Sequence, residues 1–209
     1  GDEEEERMML TIGTHMSIAD GIAKTAENVV KMEANTMQIF SRNPRGSGYR
    51  NYSAGETERF WKIKAEHNFG PLLAHAPYTM NLASPREAAY EFACMVIKED
   101  IARMDALGME AIVFHPGSHT GIGAEAGIKN IIAGLNQAIT GRERIMVLLE
   151  TMSGKGSEVG RRFEELKEIL DRVVQKDQIG VCMDACHMWD SMTVSFAWIF
   201  CGGHGKKYE

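Results

Sequence analysis

The chain has 209 residues, 23 Lys+Arg against 29 Asp+Glu, and 44% hydrophobic content, an ordinary globular balance that excludes disorder, collagen-like repeats and coiled coil. No run approaches the roughly 18 apolar residues of a membrane span, and the opening Gly-Asp-Glu-Glu-Glu-Glu-Arg has the wrong charge for a secretory signal. Five acids and one Arg in residues 1–8 account for −4 of the net charge of −6, leaving a body at −2 that argues against indiscriminate nucleic-acid binding.

Those eight residues read as an acidic, solvated extension. Beyond them, short apolar runs predict strands at 10–13, 36–40, 72–75, 111–115, 145–150 and 179–184, with little alternation, as in strands buried on both faces. Amphipathic helices are predicted between them at 18–32, 54–67, 84–107, 124–139 and 160–174. Ser84-Pro85-Arg86-Glu87 predicts a capped start for the third helix, and Gly108 after Leu107 predicts a left-handed stop. Strands alternating with helices indicate parallel α/β architecture. The first turn, Gly13-Thr14-His15-Met16-Ser17, lacks a Gly-x-Gly-x-x-Gly fingerprint, so dinucleotide binding has little support.

After Asp190 the rhythm is lost. Residues 191–209 carry no helical period, and a glycine cluster stands where a sixth helix is due. The expected organisation is an extension at 1–8, a β/α portion at 9–190 and an atypical tail at 191–209 arising from truncation or a shifted reading frame. Cys94, Cys182, Cys186 and Cys201 lack Cys-x-x-Cys spacing and read as free thiols in an intracellular, cytoplasmic protein.

The strand ends carry the chemistry. Strand three closes on His75, strand four on His115, strand five on Glu150, and strand six on Asp184 with His187 three residues later; His15 follows strand one. In a parallel β/α fold these ends share one rim, where active sites are built. His, Glu and Asp are donors for zinc or a similar divalent ion, and an open hydrolytic site needs no Cys. His119 follows His115 by four residues, but Pro116-Gly117 breaks any helix between them, so it reads as a loop residue near the site. Glu158 reads as a helix-start residue. The segment Ser41 to Gly55 holds Arg42, Arg45, Arg50, Tyr49 and Tyr52 and no acid, a composition suited to phosphate contact and stacking. Tyr78 and Asn81, on the loop after His75, are expected to face the same substrate.

Four ordered blocks carry a family resemblance: His75-Ala76-Pro77-Tyr78, Phe114-His115-Pro116-Gly117-Ser118-His119, Leu149 to Gly160, and Val181-Cys182-Met183-Asp184-Ala185-Cys186-His187. With Ile12 to Ser17 they resemble endonuclease IV (deoxyribonuclease IV), the apurinic/apyrimidinic (AP) endonuclease family 2, from about Met9 to Asp190. The resemblance implies a TIM-type (β/α) barrel, here incomplete at about six of eight units, with up to three zinc ions. It implies His75, His115 and Glu150 as ligands of the first zinc, Glu150 bridging to the second as the catalytic carboxylate, Asp184 on the second and His187 on the third. Arg45 and Tyr78 match loop residues that enter the DNA, with Arg42 and Asn81 beside them. The implied activity is base excision repair: hydrolysis of double-stranded DNA 5′ to an abasic site, leaving a 3′-hydroxyl. Family ligands from the last two strands find no match after Asp190, and His204 fits no block. The expectation is therefore a monomer of low activity with an incomplete third site, or a chain that needs a complementing partner; a sugar isomerase-like metal barrel is the other alternative.

Overall fold

The computed structural model describes residues 10–191. Six strands form one parallel sheet in chain order: β1 (Gly13–His15), β2 (Thr36–Phe40), β3 (Leu73–His75), β4 (Ala111–Phe114), β5 (Met146–Glu150) and β6 (Ile179–Cys182). The connections are the helices α1 (Ile22–Lys31), α2 (Ala54–Glu66), α3 (Glu87–Leu107), α4 (Ala124–Ala138) and α5 (Phe163–Arg172). A short sixth helix, α6 (Ala185–Asp190), follows β6. Among the described residues β1 and β6 do not pair with each other, so the sheet is six units of a TIM-type barrel, not closed.

The residues on the helix side of the sheet form the core. In β2, Met37 and Ile39 are buried while Gln38 and Phe40 on the opposite face are partly open, which is the two-residue period of a strand. Ile112, Phe114, Val147 and Leu149 continue the core and meet the inward stripe of α3: Ala93, Val96, Ile97, Ile101, Met104 and Leu107. Full burial of one such aliphatic side chain is worth about 1.5–3 kcal/mol. One member of that stripe, Asp100, is charged and wholly buried.

The third helix stops where the sequence predicts. Gly108 sits in the left-handed region at φ 84°, and Met109 N–H reaches back to Met104 O at 3.0 Å. Helix α2 completes that cap, because Trp61 Nε1–H donates to Leu107 O at 2.8 Å and Lys64 Nζ to Gly108 O at 2.9 Å.

Two local expectations are corrected, and one element is added. The first strand lies at Gly13–His15, three residues late, because the Asn35 side chain takes the place of a ladder partner upstream: it accepts from Ile12 N–H at 2.8 Å and donates to Leu10 O at 3.0 Å. The third helix begins at Glu87, since Arg86 is extended; Ser84 Oγ accepts from Arg86 N–H at 3.1 Å in the turn before it. Helix α6 is an element that hydrophobic period does not predict, although its cap is written in the sequence: Asp184 accepts from His187 N–H at 2.7 Å. Residues 1–9 and 192–209, including His204, Cys201 and most of the expected tail, lie outside the described residues.

Candidate metal centre

The registers Phe40↔His75, His75↔Val113 and Glu150↔Cys182 align the carboxyl ends of the strands along one rim. His75 and Glu150 are the last residues of β3 and β5, His115 follows β4 directly, Asp184 caps α6 and His187 lies in its first turn. The rim thus converts a sequence separation as large as 75 residues, His75 to Glu150, into contact.

Glu150, only 5% exposed, is the hub. Its Oε2 lies 2.9 Å from His75 Nε2 and 3.3 Å from His115 Nε2, and its Oε1 lies 3.2 Å from His187 Nδ1. Two groups of donor atoms follow, each with its atoms within 4.8 Å of one another: His75, His115 and Glu150, and Glu150, Asp184 and His187. They share Glu150, one carboxylate oxygen facing each. The resemblance assigns His187 to an ion apart from Asp184; here its Nδ1 groups with Asp184, 3.8 Å from Oδ2.

The donor chemistry fits a divalent ion. His75 Nδ1 lies 2.6 Å from Ala76 O. Its Nε2 lies 2.9 Å from Glu150 Oε2, so an imidazole nitrogen and a carboxylate oxygen, both donors of the kind a divalent ion takes, converge at one point. Burial alone would raise the Glu150 carboxyl, but hydrogen bonds and charge from His115 and His75 outweigh it and hold the group well below the usual carboxylate range. Burial lowers the pKa of His15, with a further contribution from His75.

The second group is held by Thr151, which sequence reasoning passed over. Thr151 Oγ1 accepts from Asp184 N–H at 2.8 Å, Thr151 N–H donates to Cys182 O at 3.0 Å, and Thr151 O lies 3.0 Å from His187 Nδ1. Its one signal was position, immediately after Glu150. Phe40 was also missed. Its ring centroid stands 4.3 Å from that of His15, 5.5 Å from His75 and 5.4 Å from Tyr78, so it wedges three site rings into place.

The rings of Tyr78 and His115 lie 5.4 Å apart, and Tyr78 is 56% exposed, so it forms a lip over the cluster. The cavity beneath it, about 580 Å³, is lined by the five donor residues with His15, Gln38, Val113 and Cys182 among its other walls. Arg45 is exposed on the neighbouring loop and has no ion pair among the described residues.

Other selected residues are committed elsewhere. Arg42 is not a free surface cation: its side chain is buried, pairing Nη2 with Asp100 at 2.6 Å and Glu99 at 2.7 Å. Arg50 pairs with Glu56 at 3.2 Å, and Tyr52 Oη is buried. Asn81 ties two loops together, accepting from Ser118 N–H and Ala83 N–H while donating to Ser118 O, all within 2.9–3.0 Å. His119 Nδ1 accepts from Gly121 and Gly123 N–H, a loop-structural role. Glu158 starts no helix; it accepts from Ser153 Oγ and from Gly154 and Lys155 N–H and so folds the loop after β5.

Comparison with known proteins places the chain in a family. The family model of xylose isomerase-like TIM barrels matches residues 26–199. A protein of Clostridium botulinum (strain Alaska E43 / Type E3) named probable endonuclease 4 is 45% identical over 183 residues, covering 88% of this chain and 66% of that protein. The crystal structure of endonuclease IV from Thermus thermophilus superposes with a TM-score of 0.73 at 30% identity, covering 85% of this chain and 64% of that one. D-psicose 3-epimerase from Clostridium cellulolyticum H10 shares the fold at a TM-score of 0.67 and 14% identity, over 90% of this chain and 67% of that one. The chain thus spans about two thirds of the length of the proteins it matches.

Proposed function

The chain belongs to the xylose isomerase-like TIM barrel family, on its AP endonuclease family 2 side, and from that premise we propose that it acts on double-stranded DNA at abasic sites. The reaction is zinc-dependent hydrolysis of the phosphodiester 5′ to the lesion. Water oxygen adds to phosphorus, the bond from phosphorus to the upstream 3′-oxygen breaks, and that oxygen takes a proton to become the 3′-hydroxyl. The observation that carries the reading is the Glu150 carboxylate shared by two donor groups at the strand ends, within a chain 45% identical to a probable endonuclease 4.

His75, His115 and Glu150 would hold one ion and Glu150, Asp184 and His187 another. When bound, zinc supplies Lewis acidity, polarising phosphoryl oxygens and lowering the pKa of water. The remaining work falls to the chain itself. Arg45 contacts backbone phosphate near the lesion. Tyr78 offers a ring face to stack where the base is missing, and an abasic nucleotide has no base to unstack, so its displacement costs less than flipping an intact one. His15 lines the cavity on the β1 side, with its ring held against that of Phe40. Among the described residues no helix is long and apolar enough to cross a membrane.

The test is zinc content by mass spectrometry on the purified chain, alongside nicking of a duplex with one abasic site. Bound zinc with nicking on the 5′ side, leaving a 3′-hydroxyl, supports the proposal. Zinc and abasic-duplex binding without nicking favours a non-catalytic or partner-dependent member. Turnover of a ketose without DNA cleavage overturns it in favour of an epimerase-like barrel.

A further inference from the structure

The apolar stripe of α3 contains Asp100, 0% exposed, and its two oxygens are fully committed. Oδ1 accepts from Arg42 Nη2 at 2.6 Å and Arg103 Nη1 at 3.0 Å; Oδ2 accepts from Ser41 Oγ at 2.6 Å; Arg42 Nε lies 3.0 Å from both. Arg42 Nη2 also donates to Glu99 at 2.7 Å, and the remaining bonds of the two arginines go to backbone carbonyls of a single segment. Arg103 donates to Ser41 O at 2.9 Å and Arg50 O at 3.2 Å, and Arg42 donates to Ser47 O at 3.0 Å. The Arg103 guanidinium also lies 3.6 Å over the ring of Tyr49, whose hydroxyl donates to Glu99 at 2.8 Å.

That segment, residues 41–50, has no helix or strand of its own. It carries Arg45, and its middle is tied to the loop that carries Tyr78: Tyr78 N–H donates to Pro44 O at 2.9 Å and Thr79 Oγ1 to Gly46 O at 3.1 Å. A buried ion cluster is a poor source of stability compared with apolar packing of the same volume, so retention of one in an apolar stripe points to a role in position. Without it, an irregular segment would have to be ordered at the moment DNA binds, which weakens binding.

We propose that Asp100 is a positioning residue, which through Arg42 and Arg103 clamps residues 41–50 in the conformation that presents Arg45, and with it Tyr78, to the DNA strand. This rests on the DNA reading above and goes beyond it in assigning the recognition loop's order to a residue that touches neither substrate nor metal donors.

The experiment compares the unaltered chain with Asp100→Asn, Arg103→Gln and Arg103→Lys. Readouts are kcat and KM for nicking an abasic duplex, zinc per chain, and backbone hydrogen exchange. Asp100→Asn should raise KM roughly tenfold with kcat and zinc content held, and should speed exchange in 41–50 while β4 and β5 stay protected. Arg103→Gln, which leaves the Arg42–Asp100 pair in place, should give the same pattern in milder form, with Arg103→Lys between it and the unaltered chain. A fall in kcat at constant KM, or an unchanged loop exchange rate, overturns the proposal. If Asp100→Asn does not fold, the Arg103 pair decides it alone. If the unaltered chain neither binds nor nicks abasic DNA, the functional reading and the DNA part of this proposal fall together; exchange in the Arg103 variants still decides whether the clamp orders the loop.

Discussion

Glu150→Gln is the perturbation that tests the centre most directly. The replacement is isosteric, and the amide still offers His75 Nε2 a hydrogen-bond partner, so the fold should survive. The charge does not, and that charge faces both donor groups: Oε2 toward His75 and His115, Oε1 toward His187. Partners that act on a metal ligand only indirectly are worth about 10–100-fold in affinity. Glu150 supplies one of three donors in each group, so its loss should exceed the top of that range at both, at least about 2.7 kcal/mol per ion. Asp184→Asn should weaken the second group alone, and His115→Ala the first alone. The assay is competition with a chromogenic zinc chelator, reading affinity and stoichiometry, with far-UV circular dichroism as the check on folding. If Glu150→Gln releases one equivalent and leaves a second at unchanged affinity, the shared carboxylate is not a bridge and the reasoning fails.

Phe60 is the buried residue that anchors α2, at 0% exposure; Phe60→Ala should cost about 3–5 kcal/mol in chemical denaturation, and a loss below about 1 kcal/mol would mean that α2 is held by its rim contacts instead. Gly108→Ala places a Cβ at φ 84°, 3.2 Å from Trp61 Nε1; the expected loss is about 1 kcal/mol or more, with thermal denaturation as the measure. Cys182 is pushed up to about 11, first by burial and then by the Glu150 and Asp184 carboxylates, whereas Cys186 is exposed. At about pH 8 iodoacetamide should therefore modify Cys186 first, and Cys182 should gain rate about tenfold per pH unit up to its pKa. Equal rates at that pH by peptide mass mapping would contradict that environment.

Much of the architecture was legible because each element carries its own physical signature. Strand β2 was placed to the residue, and the end of α3 at Gly108 follows from a conformation glycine adopts cheaply. The start of α3 was misplaced because Ser84 used its hydroxyl in a turn, a choice that local sequence leaves open. Strand β1 was shifted because Asn35, more than twenty residues away, occupies the backbone of residues 10 and 12.

The candidate site divides the same way. His75, His115, Glu150, Asp184 and His187 could be chosen from sequence because parallel strands put their carboxyl ends on one rim, so residue type at a strand end already implies convergence. Which donors group together depends on sub-ångström placement that composition does not encode. The basic loop shows the limit most clearly. In sequence Arg42, Arg45 and Arg50 are equivalent cations on one acid-free segment. Only the tertiary structure brings Asp100 and Glu99 of α3 against it and buries Arg42, because those charges lie more than fifty residues on in the chain, while Glu56 of the adjoining α2 pairs Arg50 and Arg45 stays exposed.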